Sequence, residues 1–354
     1  MFTRHHNHAR CVGYLLRTVS ASLLLITVST RSAPTYATSV EIRSETIRTD
    51  SSIPGLKLAL HHEFSAIQSF SRRPKPIVLF AEGSAVPTAG NAGFRIHGLS
   101  WMDYLARNGF DVWSLDYLGL GDSSRYPESS TDTAPGRASD CAIQLELAAR
   151  FILKRQRAQE LSIIGDSFGS LVAGIFATKR PHLIHKLILF APLTPTLNAE
   201  TTSGSVASSS YDFVTPDDLW GLYSSWLPKG QFVGLDRQFF LSHWGSLYLI
   251  SDPTSRQRTP PSVKVPAGPG LDSANINAGR FPYDPSEIRA PTLIICGEWD
   301  SLATDEGAKR LFDRMTGTAN KRRVIIGHGT HILQLESVRF VLYREIETFL
   351  RFDN

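Results

Sequence analysis

The sequence predicts an α/β architecture: a mostly parallel central sheet with helices on both faces and a helical cap inserted between two core strands. Short continuous apolar runs alternate with longer stretches of helical spacing, the signature of parallel strands linked by crossover helices. One interval rich in aromatic residues breaks that alternation. The 354 residues are enough to bury one large core and an insertion besides.

The elements follow in order. Alternating apolar and polar residues over 40–48 and 56–64 predict two strands joined by the turn signal at 51–55. The run Pro76-Ile77-Val78-Leu79-Phe80-Ala81 reads as a strand buried on both faces. A glycine-containing loop at 82–93 precedes a helix over 99–108, a strand over 111–115 and a polar loop over 119–124. Ala142, Leu145, Leu147, Phe151 and Leu153 recur at helical spacing and predict a helix over 141–155. A strand at 161–164, a helix at 167–179 and a strand at 186–190 complete the first part of the core. The second part holds a strand at 292–296, a helix at 308–315, a strand at 323–326 and a helix at 338–352. The expected organisation is therefore a leader over 1–37, core over 38–191, cap over 192–288 and core again over 289–354.

The cap interval carries Trp220, Tyr223, Trp226, Phe232, Phe239, Phe240, Trp244 and Tyr248 amid Ser, Pro and Gly. A structureless loop of that length inside a compact domain is disfavoured, so the segment is read as largely helical. Most of these rings pack the cap onto the core, and a few line a pocket.

Charge and targeting signals restrict the function classes. Residues 1–37 hold Arg4, Arg10, Arg17 and Arg31 and no acid; without those four, 33 basic residues face 33 acidic ones. The body is near neutral, which gives no charge argument for a nucleic-acid partner. The basic start, the apolar run 19–28 and the small residues around Ala33 and Ala37 read as a secretory signal, so a secreted or periplasmic location is expected. The run is too short for a permanent membrane span. Cys11 lies before it, leaving Cys141 and Cys296, which do not make a disulfide-built protein.

The most informative motif is Ile163-Ile164-Gly165-Asp166-Ser167-Phe168-Gly169, a G-x-S-x-G between a strand and a helix. That context forces the serine onto a sharp bend with its hydroxyl exposed. A serine hydroxyl is a weak nucleophile until a base takes its proton and an acid orients that base. Asp300 and His331 each follow an apolar run, giving the order Ser…Asp…His; Glu298 and His328 are the respective competitors. The helix starting after Ser167 aims its positive end at the site, and the Phe168 N–H is the natural first donor to an oxyanion. No ligand spacing for a metal occurs, and no cofactor is called for. These residues predict a serine hydrolase acting on a small-molecule substrate, with an ester as the leading choice. Amide, peptide or lactone cleavage and acyl transfer on the same residues stay open, as does a catalytically inactive binding protein on the same scaffold.

Over residues 56–352 the chain resembles the α/β-hydrolase superfamily. The stretch Trp101-Met102-Asp103-Tyr104-Leu105-Ala106 through Gly109-Phe110-Asp111-Val112 is similar to the family's segment after its third strand. The stretch Leu115-Asp116-Tyr117-Leu118-Gly119-Leu120-Gly121-Asp122-Ser123 is similar to the segment through the fourth. Gly297-Glu298-Trp299-Asp300 resembles the family's acid loop, and His331 with Glu336 five residues on resembles its terminal histidine motif. The resemblance implies Ser167 as nucleophile, Asp300 as acid and His331 as base. Many members carry His-Gly after the third strand, with the next backbone N–H completing the oxyanion hole; this chain has Glu82-Gly83-Ser84. By that likeness the Ser84 N–H is the second donor, with Ala85 as runner-up. Glu82 is expected to point away and pair with a cation, or alternatively to contact a cationic group of the substrate. Asp166 is a second unusual acid with the same potential to tune specificity.

Overall fold

A computed structural model describes residues 41–66, 74–127, 134–195 and 210–352. The leader expected over 1–37 lies outside the described residues. The strands are β1 (Ile42–Asp50), β2 (Lys57–Ser65), β3 (Ile77–Ala81), β4 (Asp111–Asp116), β5 (Leu161–Asp166), β6 (Ile184–Phe190), β7 (Tyr211–Val214), β8 (Val263–Pro266), β9 (Thr292–Gly297) and β10 (Lys321–Ile326). The helices are α1 (Trp101–Arg107), α2 (Ala138–Gln156), α3 (Phe168–Lys179), α4 (Pro216–Ser225), α5 (Arg237–Phe239), α6 (Gly245–Ile250), α7 (Gly268–Asn277), α8 (Asp305–Arg314) and α9 (Arg339–Arg351).

Eight strands form one sheet in the order β1-β2-β4-β3-β5-β6-β9-β10. The β1–β2 and β2–β4 pairs are antiparallel and the other neighbours parallel. Period-two alternation along the central strands divides the core. Leu79 and Ala81 of β3 face the apolar cluster that includes Leu145 of α2 and Val172 of α3. Val78 and Phe80 face the opposite cluster, with Trp101 of α1 and Ile346 of α9. Both faces are covered, which is why these strands read as continuous apolar runs. The first turn of α1 is closed by a capping box, with the Ser100 hydroxyl accepting from the Asp103 N–H and the Asp103 carboxylate accepting from the Ser100 N–H.

The insertion lies between β6 and β9, and its helices, expected from the sequence, are joined by a short ribbon that was not. It holds α4 to α7 and a two-stranded antiparallel ribbon pairing β7 with β8. A single π turn (Phe240–Trp244) joins α5 to α6. Phe240, Trp244 and Tyr248 stack one on the next, with centroids 4.3 and 5.0 Å apart, and all are fully buried. Phe232, by contrast, is 79% exposed. Both Cys141 and Cys296 are buried free thiols.

The turn between β5 and α3 is the tightest crossing near the sheet's carboxyl edge. A side chain at Gly165 would sit 2.6 Å from the Gly169 carbonyl oxygen. One at Gly169 would collide with the carbonyls of Ala81 and Glu82 at the end of β3. Backbone cannot give way as a flexible side chain does. Gly169→Ala is therefore expected to lower the melting temperature by roughly 6 °C, read by thermal denaturation.

Candidate active site

Ser167 occupies the bend between β5 and α3, with φ 52° and ψ −116°. A positive φ is costly for a residue with a side chain, and here the turn is held by the Ser167 N–H bonding to the Phe190 carbonyl (2.9 Å). The conformation lifts the hydroxyl off the sheet edge toward two neighbouring loops. Asp300 lies in the loop after β9, where its Oδ1 accepts the N–H groups of Leu302 (3.0 Å) and Ala303 (2.8 Å). His331 lies in the loop after β10.

The structure brings the three together. His331 Nδ1 is 2.8 Å from Asp300 Oδ2, and Nε2 is 2.8 Å from Ser167 Oγ. With Nδ1 protonated, the imidazole donates to the carboxylate and accepts from the hydroxyl. The His331 loop is pinned by Glu336, fully buried, which accepts from the Thr330 hydroxyl (2.7 Å), the Thr330 N–H (3.1 Å) and the Gly234 N–H of the insertion (2.9 Å). Trp226 packs edge-to-face on the imidazole at 4.8 Å. Burial pulls the His331 pKa down, but the charge and hydrogen bond of Asp300, helped by the charge of Asp166, outweigh it and leave the pKa above the ordinary value.

The competitors lie elsewhere. His328 is exposed, stacks on Trp299 at 4.6 Å, and its N–H donates to Glu298. Neither His328 nor Glu298 is bonded to Ser167 or His331.

Ser167 and His331 border a cavity of about 360 Å³. Gly83, Ser84 and Ala85 form one wall, and Tyr223, Trp226 and Trp244 of the insertion form an aromatic one. Among the described residues, the backbone N–H groups of Ser84 and Phe168 have no acceptor. They flank Ser167 from the β3 loop and from the first turn of α3 and are free to receive a substrate oxygen.

Glu82 corrects an expectation. Among the described residues it pairs with no cation, and it does not border the cavity; it is buried, with Oε1 accepting from the Ser114 hydroxyl (2.6 Å) and Oε2 from Asn91 Nδ2 (2.6 Å). Burial pushes its pKa up to about 8, the Ser114 hydrogen bond opposes, and the nearby Asp166 and Asp116 charges add to the rise. Neutralisation by its own proton takes the place of a counter-ion. The folded protein thus keeps a proton that the unfolded chain releases in the ordinary carboxyl range, so wild-type stability falls as pH rises from about 4.5, the unfolded value, to about 8, the folded one. In Glu82→Gln this loss disappears. Its melting temperature should gain roughly 3 °C on wild type between about pH 5 and about pH 9, measured in parallel melts.

Asn91 and Gln334 are site residues that the sequence did not reveal. Asn91 Nδ2 donates to both Glu82 and Asp166 (2.6 Å each), and its Oδ1 accepts from Gln334 Nε2 (2.7 Å). Asn91 lies 9, 75 and 243 residues from Glu82, Asp166 and Gln334, and nothing in a linear pattern links them.

A second polar cluster lies on β2 and β4. His61, Asp116 and Asp122 bring ligand-type atoms within 4.8 Å of one another. The Asp116 oxygens are already occupied by His61 Nε2 and the N–H groups of Thr88 and Asp122, and no metal is assigned there. Among the described residues, no helix is long and apolar enough to cross a membrane.

A model of the alpha/beta hydrolase fold family matches residues 89–338, more than half of the chain. The chain belongs to that family. A search of curated proteins found no match. Among solved structures, this hydrolase is similar to 2-hydroxy-6-oxo-6-phenylhexa-2,4-dienoate hydrolase from Rhodococcus sp. strain RHA1, with 17% identity over 89% of this chain and 100% of that one, at TM-score 0.60. It is similar to the thioesterase domain from the curacin biosynthetic pathway, with 17% identity over 88% of this chain and 100% of that one, at TM-score 0.57. A thermophilic esterase matches with 16% identity over 87% of this chain and 98% of that one, at TM-score 0.54. At these identities the likeness establishes the fold that this hydrolase shares with them.

Proposed function

We propose that this alpha/beta hydrolase cleaves carboxylic esters through an acyl-enzyme on Ser167. The observation that carries the reading is the continuous hydrogen-bonded line from Ser167 Oγ through both nitrogens of His331 to Asp300, at the edge of a largely apolar cavity. As Ser167 Oγ attacks the ester carbonyl, its proton passes to His331 Nε2, and Asp300 stabilises the imidazolium and fixes its orientation. The charge that develops on the carbonyl oxygen is received by the Phe168 and Ser84 N–H groups. His331 then protonates the leaving alcohol. In the second half a water gives its proton to His331 as it attacks the acyl carbon; the bond to Ser167 Oγ then breaks, His331 returns that proton to Oγ, and the acid leaves. The wall of Tyr223, Trp226 and Trp244 favours an apolar or aromatic group on the substrate.

A fluorophosphonate probe tests this reading, because it reacts with a serine whose proton a neighbouring base removes. The expected result is one adduct, located on Ser167 by mass spectrometry. Labelling should slow on acidification, since His331 must be neutral to serve as base. Its raised pKa keeps it protonated to higher pH, so the midpoint should lie above about 6.5, the ordinary imidazole value. A protein left unlabelled, or labelled at another residue, refutes the assignment.

A further inference from the structure

We propose that Asn91 is a positioning residue whose side-chain amide sets the spacing between the Ser84 N–H and the Phe168 N–H, the two donors that receive the substrate oxygen; this role rests on the ester-hydrolase reading above. The two donors come from different elements, one from the loop after β3 and one from the first turn of α3. An oxyanion is held well only when both N–H groups point to one place, each about 2.7–3.1 Å from it. The Phe168 side of the pair is fixed by the tight turn between β5 and α3. The Ser84 side is not fixed by its own backbone: among the described residues, neither Ser84 nor Ala85 makes a backbone–backbone hydrogen bond.

The amide supplies the missing tie. Ala81 of β3 pairs with Gly165 of β5, so the next residues, Glu82 and Asp166, stand level on neighbouring parallel strands with their side chains on one face. Asn91 Nδ2 has two N–H donors and gives one to Glu82 Oε2 and one to Asp166 Oδ2, 2.6 Å each. The hydrogens of a planar NH₂ group diverge at a fixed angle, so the amide holds the two oxygens at a set separation. Glu82 lies two residues before Ser84, and Asp166 two before Phe168, so the same separation is passed on to the donors. The two chains are already close here: a side chain at Gly83 would lie 3.5 Å from Asp166 Oδ2 and 3.7 Å from Ser167 Cβ. Asn91 is itself held from two further sides. Its backbone N–H donates to the Thr88 carbonyl (3.0 Å), and its Oδ1 accepts from Gln334 Nε2 (2.7 Å). Gln334 lies three residues past His331, and its carbonyl accepts from the Tyr343 hydroxyl (2.8 Å). One buried amide thus joins the loop after β3, the nucleophile turn and the histidine loop. Both of its N–H groups are given to protein oxygens, so it acts through the backbone donors rather than on the substrate.

The experiment uses Asn91→Leu, which keeps the shape of the side chain and removes both N–H donors. Each protein is titrated to completion with a fluorophosphonate, so that rates are expressed per reactive Ser167. The kcat for p-nitrophenyl butyrate should fall by about 10²-fold, as when an oxyanion donor is lost, with KM little changed. The inhibition constant of a trifluoromethyl ketone, which adds to the serine and places an oxyanion in the same spot, should rise by the same factor. A purely structural role would lower the number of reactive sites or the melting temperature and leave both per-site constants unmoved. Asn91→Asp has the same shape but can donate at most one hydrogen. It should show the same paired loss at smaller size, and it decides where the leucine variant does not fold. Wild-type values of both per-site constants in the folded variant overturn the proposal, as does a loss of kcat without the matching loss of ketone affinity. Wild type reports the ester-hydrolase reading separately. If it is labelled on Ser167 and turns over the ester while the variant keeps both constants, only the role of Asn91 falls; if it is neither labelled nor active, both readings fall.

Discussion

Ser167→Ala should lower kcat for a p-nitrophenyl ester by about 10⁵- to 10⁶-fold while the protein stays folded. The size follows from the role proposed for Ser167: on that mechanism no acyl-enzyme forms without the hydroxyl, and the backbone N–H groups of Ser84 and Phe168 remain only to polarise a bound carbonyl. The fold survives because the hydroxyl makes a single side-chain hydrogen bond, to His331 Nε2, whereas the bend itself is held by the Ser167 N–H and by Gly165 and Gly169. Steady-state kinetics beside a thermal melt check both halves. Activity within tenfold of wild type would mean that another group carries the chemistry.

The sheet is legible in the sequence because its strands are buried on both faces and therefore appear as unbroken apolar runs, as in Ile77–Ala81 and Thr292–Gly297. The places where chemistry can sit follow from the same pattern. In a parallel sheet, Ser167, Asp300 and His331 each come just past the carboxyl end of a strand and so emerge at one edge. The insertion is less legible. β7 pairs with β8 across about fifty intervening residues, and strands of four residues, the first with none buried and the second largely buried, are too short to show an alternation. The polar network behind Ser167 is not legible at all. Burial of a carboxylate suggests a cationic partner, which is the expectation Glu82 invited. Its actual neighbours, Ser114 and Asn91, are hydroxyl and amide groups brought in by β4 and by the loop after β3, and they suit a carboxyl group that keeps its proton.

That network bears on the base. Asp166 contributes charge that helps keep the His331 pKa high, yet burial pushes its own pKa up to about 6, with His331 and the Asn91 bond opposing that rise. Each charge therefore favours the charged form of the other beside the nucleophile. With its pKa pushed up to about 8, Glu82 brings no charge at neutral pH, which removes the conflict between a carboxyl group in the loop after β3 and the oxyanion stabilisation that the proposed mechanism requires.

Asp300→Asn should lower kcat by about 10⁴-fold with little change in the melting temperature, an effect of proton placement rather than packing. Asp300 Oδ1 accepts two backbone N–H groups, from Leu302 and Ala303, so an asparagine must keep its carbonyl oxygen there and turn its amide NH₂ toward His331. The amide then donates to Nδ1, which forces the proton of the neutral imidazole onto Nε2. That nitrogen faces Ser167 Oγ at 2.8 Å and, once protonated, donates to the hydroxyl and no longer takes its proton. The position is 4% exposed and isosteric in the variant, so its packing is preserved. Kinetics with a p-nitrophenyl ester, alongside nitrogen-detected NMR of the His331 tautomer, would read the cause directly. A variant that keeps wild-type kcat, or loses activity with its Nδ1 proton still in place, would show that Asp300 does not act by fixing the tautomer.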